Sequence, residues 1–265
     1  MRILVAGCGY LGSCFTEART REDHEVFGIR REEGIDLLKP ETLEGLGPCD
    51  LAVFSQAPGP ADHYFETYYK GTANLLAVLE RRMPARVVFV SSTGVYGSDD
   101  ASWVDEAADP DPPNENARAL LETERLVLDS RIPGVIVRLG GLYGPGRNRL
   151  AALKEGRIKP VFSRQYANRV RVEDAADAIW LLAKKGRQRE VYIATDDRPA
   201  TEEEFYRWLC PRLGMPVPGL LPAGPESGKR CSNAKIKRLG FQPKYHDYVA
   251  GYEDLLHGSL GPAVR

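Results

Sequence analysis

The sequence contains no continuous apolar run of about 18 residues, the length that a membrane-spanning helix needs, so we expect no transmembrane segment. It shows no charged and then apolar leader with a small-residue cleavage site, so we expect no secretion signal. Five cysteines are present, and no two of them form a Cys-x-x-Cys pair. This cysteine usage predicts a reduced, cytoplasmic protein without a disulfide framework or a zinc site.

An excess of charge of one sign is also missing. The 36 lysine and arginine residues nearly balance the 37 aspartate and glutamate residues, which gives a formal net charge of −1. This balance excludes broad attraction to nucleic acid or to anionic membranes as the main activity. A hydrophobic fraction of 43% and a charged fraction of 28% are ordinary for a folded domain and exclude global disorder. We therefore expect the partner to be a small-molecule substrate.

Signatures of two enzyme classes are missing as well. No Gly-x-Ser-x-Gly sequence is present, so the nucleophile motif of α/β-hydrolases is excluded. The four histidines stand in no motif with a serine or a carboxylate, and no cluster of acidic residues and histidine has the spacing of metal ligands. We expect neither a serine hydrolase nor a metal site.

Short apolar runs alternate with amphipathic stretches over the first two-thirds of the chain. Several runs are continuous in Val, Ile, Leu and Phe, which is typical of strands covered by helices on both faces. Repeated alternation of strand and helix predicts an α/β fold with a Rossmann-type, doubly wound parallel sheet. The predicted strands are Ile3–Ala6, Glu25–Ile29, Leu51–Ser55, Val87–Ser91, Val135–Leu139 and Val191–Ala194. The predicted helices between them are Leu11–Thr20, Asp62–Arg82, Glu115–Asp129 and Glu173–Lys185.

The last third of the chain differs because prolines divide it into short pieces. We expect it to form a smaller C-terminal substrate lobe. The predicted division is a Rossmann domain of residues 1–142 plus 164–196 and a substrate-side lobe of residues 143–163 plus 197–265. The helices predicted within the lobe are Glu202–Cys210, Asn233–Leu239 and Val249–Leu255.

A glycine-rich turn, Gly-x-Gly-x-x-Gly, follows the first predicted strand. Gly7 allows the tight turn, Gly9 lets the backbone approach a pyrophosphate, and Gly12 lets the helix pack closely on the strand. The helix N-terminus then presents free N–H groups to the phosphates. The turn predicts dinucleotide binding, and the alternative is a plain strand-to-helix turn. The predicted cofactor contacts here are Gly7, Gly9, Tyr10, Leu11 and Gly12.

The end of the second predicted strand indicates which dinucleotide binds. That strand ends just before Arg30 and Arg31, where an acidic residue would accept hydrogen bonds from the ribose of NAD. Arginine instead binds a 2′-phosphate through charge-assisted contacts, so the sequence predicts NADP(H) over NAD(H). In the alternative, Arg30 is solvated and Glu32 or Glu33 meets the ribose. Asp36 follows, at the point where the chain is placed to cover the adenine.

Five further segments carry motifs of one known family. Asp50–Ala57 resembles its fourth strand and the cofactor-side turn, and Lys70–Leu76 resembles its Gly-Thr-x-Asn-Leu-Leu helix. Phe89–Gly97 resembles a strand ending in Ser-Ser-x-x-Val-Tyr-Gly. Arg138–Arg147 resembles the Arg-x-x-x-x-Tyr-Gly-Pro-Gly segment, and Arg171–Ala176 resembles the Val-x-Asp-x-Ala helix start. Over almost its full length the chain thus resembles the extended short-chain dehydrogenase/reductase superfamily, the NAD-dependent epimerase/dehydratase family.

The resemblance breaks at the catalytic pair of that superfamily, Tyr-x-x-x-Lys on the helix after the fifth strand. Placing residues 124–126 on the Glu-Arg-Leu of the family puts Asn116 at the tyrosine and Leu120 at the lysine. Asparagine exchanges no proton near neutral pH, and leucine supplies no charge. The resemblance therefore implies an atypical member that keeps the dinucleotide fold and lacks the pair. Ala6 replaces the first glycine of the extended type, which is a second departure.

The resemblance also implies which residues remain for the site. Ser92 takes the place of the serine or threonine that bonds a substrate oxygen, and Thr93 lies beside it. The alternative is a strand-end hydroxyl bonded to backbone. Asn116 is a third catalytic candidate, with a helix cap as its alternative. The implied cofactor contacts after the third predicted strand are Ser55, Gln56 and Ala57.

Four residues are implied on the substrate side. Tyr96 and Tyr143 fall near the expected site, but an ordinary tyrosine pKa of about 10 makes each a poor acid without a perturbing neighbour. Packing is the alternative for both. Lys229 and Arg230 are placed to hold a phosphate or diphosphate, and the alternative is a solvated basic turn. Glu106 is an alternative acid or base.

Together these features predict an NADP-dependent enzyme that oxidises, reduces, epimerises or dehydrates a sugar-like or nucleotide-sugar-like substrate. The alternative is a non-catalytic dinucleotide-binding redox sensor or scaffold, which the intact glycine turn and the lost acid/base pair favour. Extended-type relatives often dimerise through two helices, which here are Asp62–Arg82 and Glu115–Asp129. The resemblance thus implies a homodimer, unless the second helix is solvated instead.

Overall fold

A parallel six-stranded sheet forms the centre of the protein, whose computed structural model describes residues 1–59, 63–221 and 224–257. The strand order is β6-β5-β4-β3-β1-β2, and all pairings are parallel. This architecture confirms the predicted α/β, Rossmann-type class. The strands are β1 (Arg2–Ala6), β2 (Glu25–Ile29), β3 (Leu51–Phe54), β4 (Arg86–Ser92), β5 (Gly134–Leu139) and β6 (Glu190–Ala194).

Helices cover both faces of the sheet. Within the described residues, three shorter turns add to them: 3₁₀ turns at Arg31–Glu33 and Thr93–Val95 and a π-helical turn at Glu66–Lys70. The helices are α1 (Tyr10–Thr20), α2 (Pro40–Leu43), α3 (Gly71–Leu79), α4 (Glu115–Asp129), α5 (Leu150–Lys154), α6 (Val172–Lys185), α7 (Glu202–Arg212), α8 (Ala234–Lys237) and α9 (Tyr248–His257).

One predicted helix differs from the structure. The stretch predicted as a single helix over Asp62–Arg82 contains the π-helical turn Glu66–Lys70 and then α3. Its predicted first residue, Asp62, lies outside the described residues. A π-helical turn holds one residue more than an α-helical turn, and such turns occur often at functional sites. Here the wider turn directly precedes Gly71, the first residue of α3.

The strand order reverses between β1 and β3. The chain leaves β1 for β2 on one side and returns to β3 on the other side. In the register, Ala6 pairs with both Ile29 and Phe54, so the carboxyl ends of the three strands are level. Ligands of doubly wound sheets bind at such a reversal, outside the carboxyl ends of the strands. The fold therefore predicts a binding site beside residues 7–12.

The sheet has six strands, as many as the common 3-2-1-4-5-6 order of dinucleotide-binding sheets, but only one strand, β2, lies on the far side of β1. The segment that resembles the fourth strand of the family is the third strand here, β3. Residues 31–50 between β2 and β3, all of them described, form the turn Arg31–Glu33 and α2 but no strand. The outermost strand of the common order is thus replaced by a short helical connection.

Both faces of the sheet are buried, which explains the continuous apolar runs. In β1, Leu4 and Ala6 pack into the cluster that contains α3 and α4. Ile3 and Val5 point the other way, into the cluster that contains α1 and α6. Successive strand residues point to opposite faces, so a strand covered on both sides needs apolar residues at every position.

A third apolar cluster lies outside the sheet layers. It contains buried side chains from Tyr143, α5, α7 and α9. Because this core is separate from those of the sheet, we retain the proposal that the chain divides into a Rossmann domain and a substrate-side lobe. The division is not strict in space, because Ile236 and Phe241 from the last third of the chain pack in the cluster with α1 and α6.

Short strand ladders tie the lobe together and to the sheet domain. Gln165–Ala167 pairs with Ala200–Thr201 and with Ser227–Gly228. Arg230–Cys231 pairs with Trp103–Val104, which belongs to the segment after β4. The pairings of Ser227–Gly228 and of Arg230–Cys231 bring chain segments more than 60 residues apart to one place. The other two pairs in the described residues are Gly141–Tyr143 with Arg169–Arg171 and Val161–Phe162 with Leu220–Leu221.

Within the described ranges 1–59, 63–221 and 224–257, every helix is too short or too polar to span a membrane. No group of three or more His, Cys, Asp or Glu residues in them is arranged to hold a metal ion. All five cysteines fall within these ranges, and each is a free thiol.

A buried ion pair joins α4 to β5. The Arg138 guanidinium donates to both carboxylate oxygens of Glu124, with Nε–Oε1 and Nη2–Oε2 distances of 2.9 and 2.6 Å. Both side chains are almost fully buried. Ser91 donates to the same carboxylate, and Arg138 donates to the Tyr96 hydroxyl at 2.6 Å. This bidentate network fixes the strand end that carries Ser92.

We expect Glu124→Gln to lower the free energy of unfolding by about 3–5 kcal/mol, because it leaves a buried guanidinium without its carboxylate. The matched control is Glu115→Gln on the same helix, which removes the exposed pair with Arg118. That change is expected to cost less than about 1 kcal/mol. Urea denaturation of both variants measures the difference, and equal losses would contradict the structural role of the buried pair.

Candidate active site

A cleft of about 920 Å³, called the cofactor cleft below, lies at the carboxyl ends of β1, β2 and β3. Every residue that the sequence predicted for the cofactor lines it, except Gly12, which lies behind the turn. The structure therefore brings together residues from three separate segments of the chain. The predicted residues along its wall are Gly7, Gly9, Tyr10, Leu11, Arg30, Arg31, Asp36, Ser55, Gln56 and Ala57.

The three glycines of the turn have different surroundings. Gly7 has a φ of +90°, and a Cβ there would lie within 3.0 Å of the Gln56 backbone. A Cβ on Gly12 would lie equally close to the Gly7 carbonyl oxygen. Gly9 has a φ of −75°, and nothing lies within 4 Å of the place where its Cβ would be. Gly7 and Gly12 thus permit close packing, whereas Gly9 opens onto the cleft.

Three residues that line this cleft carry unpartnered polar atoms. Among the described residues, the Tyr10 hydroxyl, Gln56 Oε1 and Thr67 Oγ1 are buried and have no hydrogen-bond partner, and all three residues line the cleft. Buried polar groups are normally satisfied, so such atoms indicate a polar ligand. Gln56 is held in place because its Nε2 donates to Thr72 Oγ1 at 2.8 Å. With the N-terminus of α1 at Gly9, these residues fit a dinucleotide whose phosphates meet the turn.

Charged groups of both signs lie at the β2 end of the cleft. Arg30 is about half exposed, at 47%, and its Nε lies 3.8 Å from Glu33 Oε1. Arg31 and Glu32 line the same end. Asp36 forms a local turn, because its Oδ1 accepts the Leu38 N–H at 3.0 Å. The guanidinium of Arg30 is therefore reachable from the cleft.

Thr67, Tyr68 and Arg147 are among the cleft residues that were not predicted as site residues. Thr67 and Tyr68 line the cleft from the π-helical turn, and no sequence pattern indicated that turn. Arg147 lines it from the segment after β5, with its guanidinium carbon 5.7 Å from the Tyr10 ring centre. Arg147 ends one of the five family-like segments, so its basic charge there was an available signal.

A second cleft of about 500 Å³ meets the first at Ser92, which lines both. Its walls come from the segment after β4, from residues 165–168 and from residues 228–229. It contains four predicted site residues, Ser92, Thr93, Tyr96 and Lys229. Its other lining residues are Gly94, Gly97, Ser98, Asp99, Pro113, Gln165, Tyr166, Ala167, Asn168 and Gly228.

The two hydroxyl candidates differ in their bonding. Ser92 Oγ accepts the Gly94 N–H at 3.0 Å, so its own proton remains available to a substrate oxygen. Thr93 is buried and donates to the Leu139 carbonyl at 3.3 Å. Ser92 is therefore the hydroxyl that is placed to meet a ligand at the junction of the clefts.

The two tyrosine candidates are both buried. Burial raises the pKa of Tyr96 to about 12, and its hydroxyl accepts from Arg138 in the network behind β4. Tyr143 stacks on Tyr252 with ring centres 5.0 Å apart, and it lines neither cleft. Burial also raises the pKa of Tyr143 far above its usual range. Neither hydroxyl is placed as a ready proton donor.

Helix α4 carries both positions that the resemblance aligns with the catalytic pair, Asn116 and Leu120. Asn116 is exposed and lines neither cleft. The helix cap is Asn114, whose Oδ1 accepts the Ala117 N–H at 2.9 Å. Leu120 is buried and lines the cofactor cleft, so it contributes an apolar side chain to that wall.

The two basic candidates of the lobe point to different places. Lys229 lines the second cleft. Arg230 does not line it, because its Nε donates to the Ala101 carbonyl at 2.7 Å. Its guanidinium carbon lies 4.9 Å from the Tyr166 ring centre and 5.6 Å from that of Trp103. The structure therefore does not join them into one cationic clamp.

Comparison with known proteins agrees with this geometry. Residues 3–194 match the model of the NAD dependent epimerase/dehydratase family. This range contains the glycine turn, the whole parallel sheet and the residues that line the cofactor cleft. The chain belongs to this family.

The chain matches individual relatives at low sequence identity. The chain is 30% identical over 167 residues to a 3-diazoavenalumate denitrifying reductase of Streptomyces sp, which covers 58% of this chain and 55% of that one. It is 29% identical over 182 residues to human short-chain dehydrogenase/reductase family 42E member 1, covering 58% and 46%. The chain thus spans about half the length of these curated relatives. A provisionally assigned NAD-dependent epimerase/dehydratase structure from Methylobacillus flagellatus shares 32% identity and a TM-score of 0.83, covering 97% and 98%.

We expect Gly9→Ala and Gly12→Ala to separate cofactor binding from folding. Alanine at 9 has a permitted φ and open space, so the free energy of unfolding should change by less than about 1 kcal/mol. Its methyl group occupies the space that a pyrophosphate would take, so NADPH affinity should fall at least about tenfold. Alanine at 12 overpacks the turn and should lower the free energy of unfolding by about 1–3 kcal/mol.

Urea denaturation and calorimetric titration with NADPH and NADH measure the two effects for each variant. Wild-type affinity in Gly9→Ala for both dinucleotides would show that the open face of the turn is not the phosphate site.

Proposed function

We propose that the protein is an NADP(H)-dependent oxidoreductase that acts on a small, sugar-like carbonyl or alcohol. The observation that carries this proposal is the meeting of two clefts at Ser92. One cleft has the glycine turn and the unpartnered polar atoms that suit a dinucleotide. The other has hydroxyl, amide and ammonium groups that suit a polyhydroxyl compound.

The cofactor preference rests on Arg30. Its half-exposed guanidinium lies at the wall where the adenosine ribose of a dinucleotide would sit, and its nearest carboxylate is 3.8 Å away. A loose ion pair of this kind can exchange its partner for a 2′-phosphate. Arg31 lines the same wall and adds positive charge. The opposing feature is Glu32, which would suit the ribose hydroxyls of NAD.

The residues present favour oxidoreduction over dehydration. Reduction of a carbonyl needs a hydride carrier, a hydrogen bond to the carbonyl oxygen and one proton. Ser92 supplies the hydrogen bond at the junction of the clefts. Bound NADPH would supply the hydride to the carbonyl carbon. Dehydration also needs a base that removes a proton from carbon, and the only carboxylate that lines the second cleft within the described residues is exposed Asp99, which accepts the Gly228 N–H.

Charge favours a sugar-like substrate over a nucleotide sugar. Among the described residues, Lys229 is the one cation that lines the second cleft. Arg230 is turned to Ala101 and the ring of Tyr166. A diphosphate carries two negative charges and is usually bound by several basic groups, so a substrate without one fits better.

A non-catalytic redox sensor is the second candidate, and α4 favours it. Asn116 is exposed, and Leu120 brings an apolar side chain to the cofactor cleft, so neither family position supplies a proton. Turnover separates the two candidates. NADPH oxidation is followed with a panel of aldoses, ketoses and α-dicarbonyl compounds, and the reverse reaction with sugar alcohols and NADP⁺. Tight NADPH binding without turnover of any compound would favour the sensor.

We also propose a cytoplasmic location and a homodimer that forms through α3 and α4. The face of the π-helical turn bears a stacked pair, Phe65 and Tyr69, with ring centres 4.9 Å apart, and Phe65 is exposed. Exposed aromatic rings at the start of this helix support the proposed contact between copies.

We expect Arg30→Gln to weaken NADPH binding by about tenfold to a hundredfold, because a neutral amide loses the charge-assisted contact with the 2′-phosphate. NADH binding should change less than about twofold, since NADH has no such phosphate. Glu32→Gln is the matched control, and we expect it to leave NADPH binding unchanged or tighter. Calorimetric titration measures all four affinities. Unchanged NADPH binding in Arg30→Gln together with weakened NADH binding in Glu32→Gln would assign the site to NAD(H).

A further inference from the structure

The second cleft contains few groups that can exchange a proton. Within the described residues they are Tyr96, Asp99, Tyr166 and Lys229, apart from the serine and threonine hydroxyls. Tyr96 is held by Arg138, and Asp99 accepts the Gly228 N–H. Tyr166 is half-buried with the Arg230 guanidinium over its ring. The fourth group is Lys229.

The backbone at Lys229 is fixed from two sides. Asn168 Nδ2 donates to the Lys229 carbonyl at 2.8 Å, and Asn168 Oδ1 accepts the Cys231 N–H at 2.7 Å. On the other side, the Ala101 N–H donates to the Gly228 carbonyl at 2.8 Å. These bonds hold the lysine between the segment after β4 and the strand Gln165–Ala167.

Gly228 makes this placement possible. Its φ is +73°, and a Cβ there would lie within 3.0 Å of the Tyr166 backbone. Beyond the lysine, the Cys231 thiol lies within hydrogen-bond reach of the Thr93 side chain. The segment of residues 228–231 is thus anchored against the end of β4, next to Ser92.

The side chain of Lys229, in contrast, has no fixed partner. It is half-buried, and its Nζ has no hydrogen bond or ion pair with any other described residue. Burial lowers the pKa of Lys229, while the charges of Cys231 and Asp99 act in the opposite direction. Tyr166, on the paired strand, lines the same cleft. A lysine in such a place can give up its proton more easily than an exposed one.

We propose that Lys229 is the proton donor of the proposed reduction, in place of the tyrosine that α4 lacks. As the substrate carbonyl carbon receives a hydride, the C=O π electrons move to oxygen, and the Lys229 ammonium transfers a proton there to form the O–H bond. The substrate is reduced by two electrons, and the nicotinamide of the dinucleotide is oxidised by two. The neutral amine then takes a proton from water. This inference rests on the proposed function.

The simplest competing role is that Lys229 only holds an anionic group of the substrate. Arginine separates the two roles, because it keeps the positive charge but does not release a proton near neutral pH. If Lys229 only binds an anion, Lys229→Arg keeps both KM and kcat near those of the wild type. If Lys229 donates the proton, Lys229→Arg keeps KM and loses kcat.

The test compares Lys229→Met, Lys229→Arg and Tyr166→Phe, with Lys159→Met as a control at an exposed lysine outside both clefts. Each variant is assayed for NADPH oxidation with the best compound of the carbonyl panel. We expect kcat to fall about a hundredfold or more in both Lys229 variants, to fall less than about tenfold in Tyr166→Phe, and to stay within about twofold in Lys159→Met. NADPH affinity, measured by calorimetry, should stay within twofold in all four.

A second readout does not depend on turnover. Lysine amines are methylated with ¹³C-formaldehyde, and the resonance lost in Lys229→Arg is assigned to Lys229. We expect this resonance to titrate at lower pH than that of Lys159. In the wild type, the reduction rate should fall as pH rises through the same transition, since the ammonium form is the donor.

Three results would overturn the proposal. They are a kcat of Lys229→Met within threefold of the wild type, recovery of kcat in Lys229→Arg, and titration of Lys229 together with the exposed lysines. A loss of kcat in Tyr166→Phe alone would assign the proton to Tyr166 instead. If the wild-type chain reduces no compound of the panel, the proposed function fails and this role fails with it, whereas an active Lys229→Met overturns this role alone.

Discussion

The close approach of the glycine turn to the chain after β3 is the contact on which the cofactor cleft depends. Gly7 meets the backbone at Gln56 with no room for a side chain, and Ser55 Oγ donates to the Gly7 carbonyl at 2.9 Å. This contact sets the N-terminus of α1 above the reversal in strand order. Since it is made mostly by backbone atoms, the shape of the cleft does not depend on flexible side chains.

The two adjacent serines at the end of β4 point to different sides and have different partners. Successive strand residues point to opposite sides, so Ser91 turns towards α4 while Ser92 faces the clefts. Ser91 donates to Glu124, and that carboxylate is held by Arg138, which also bonds Tyr96. The buried network therefore makes the strand end rigid, and Ser92 is the hydroxyl left at the surface of the site.

The sheet and the cofactor cleft could be predicted from the sequence, because their signals are local. Continuous apolar runs mark strands buried on both faces, and the glycine turn is contiguous in the chain. The second cleft could not be predicted in this way. Strands of two or three residues contribute to its walls, and such strands are too short to show periodicity. They also pair with segments that are far away in the sequence. Thr67 reaches the site through a π-helical turn with no sequence signal, and burial of Tyr143 under α9 depends on long-range packing around Gly251.

Leu120 has an electrostatic consequence for a bound nicotinamide. A lysine in this wall would place a positive charge near the ring and would disfavour the oxidised form, which is itself positive. A nicotinamide that binds beside this wall, as the proposed function requires, would meet no such charge there, and the oxidised dinucleotide would bind relatively more tightly. Tighter binding of the oxidised form lowers the midpoint potential of the bound couple. Under the proposed function, the residue that removes one catalytic group therefore also makes the bound cofactor a stronger reductant.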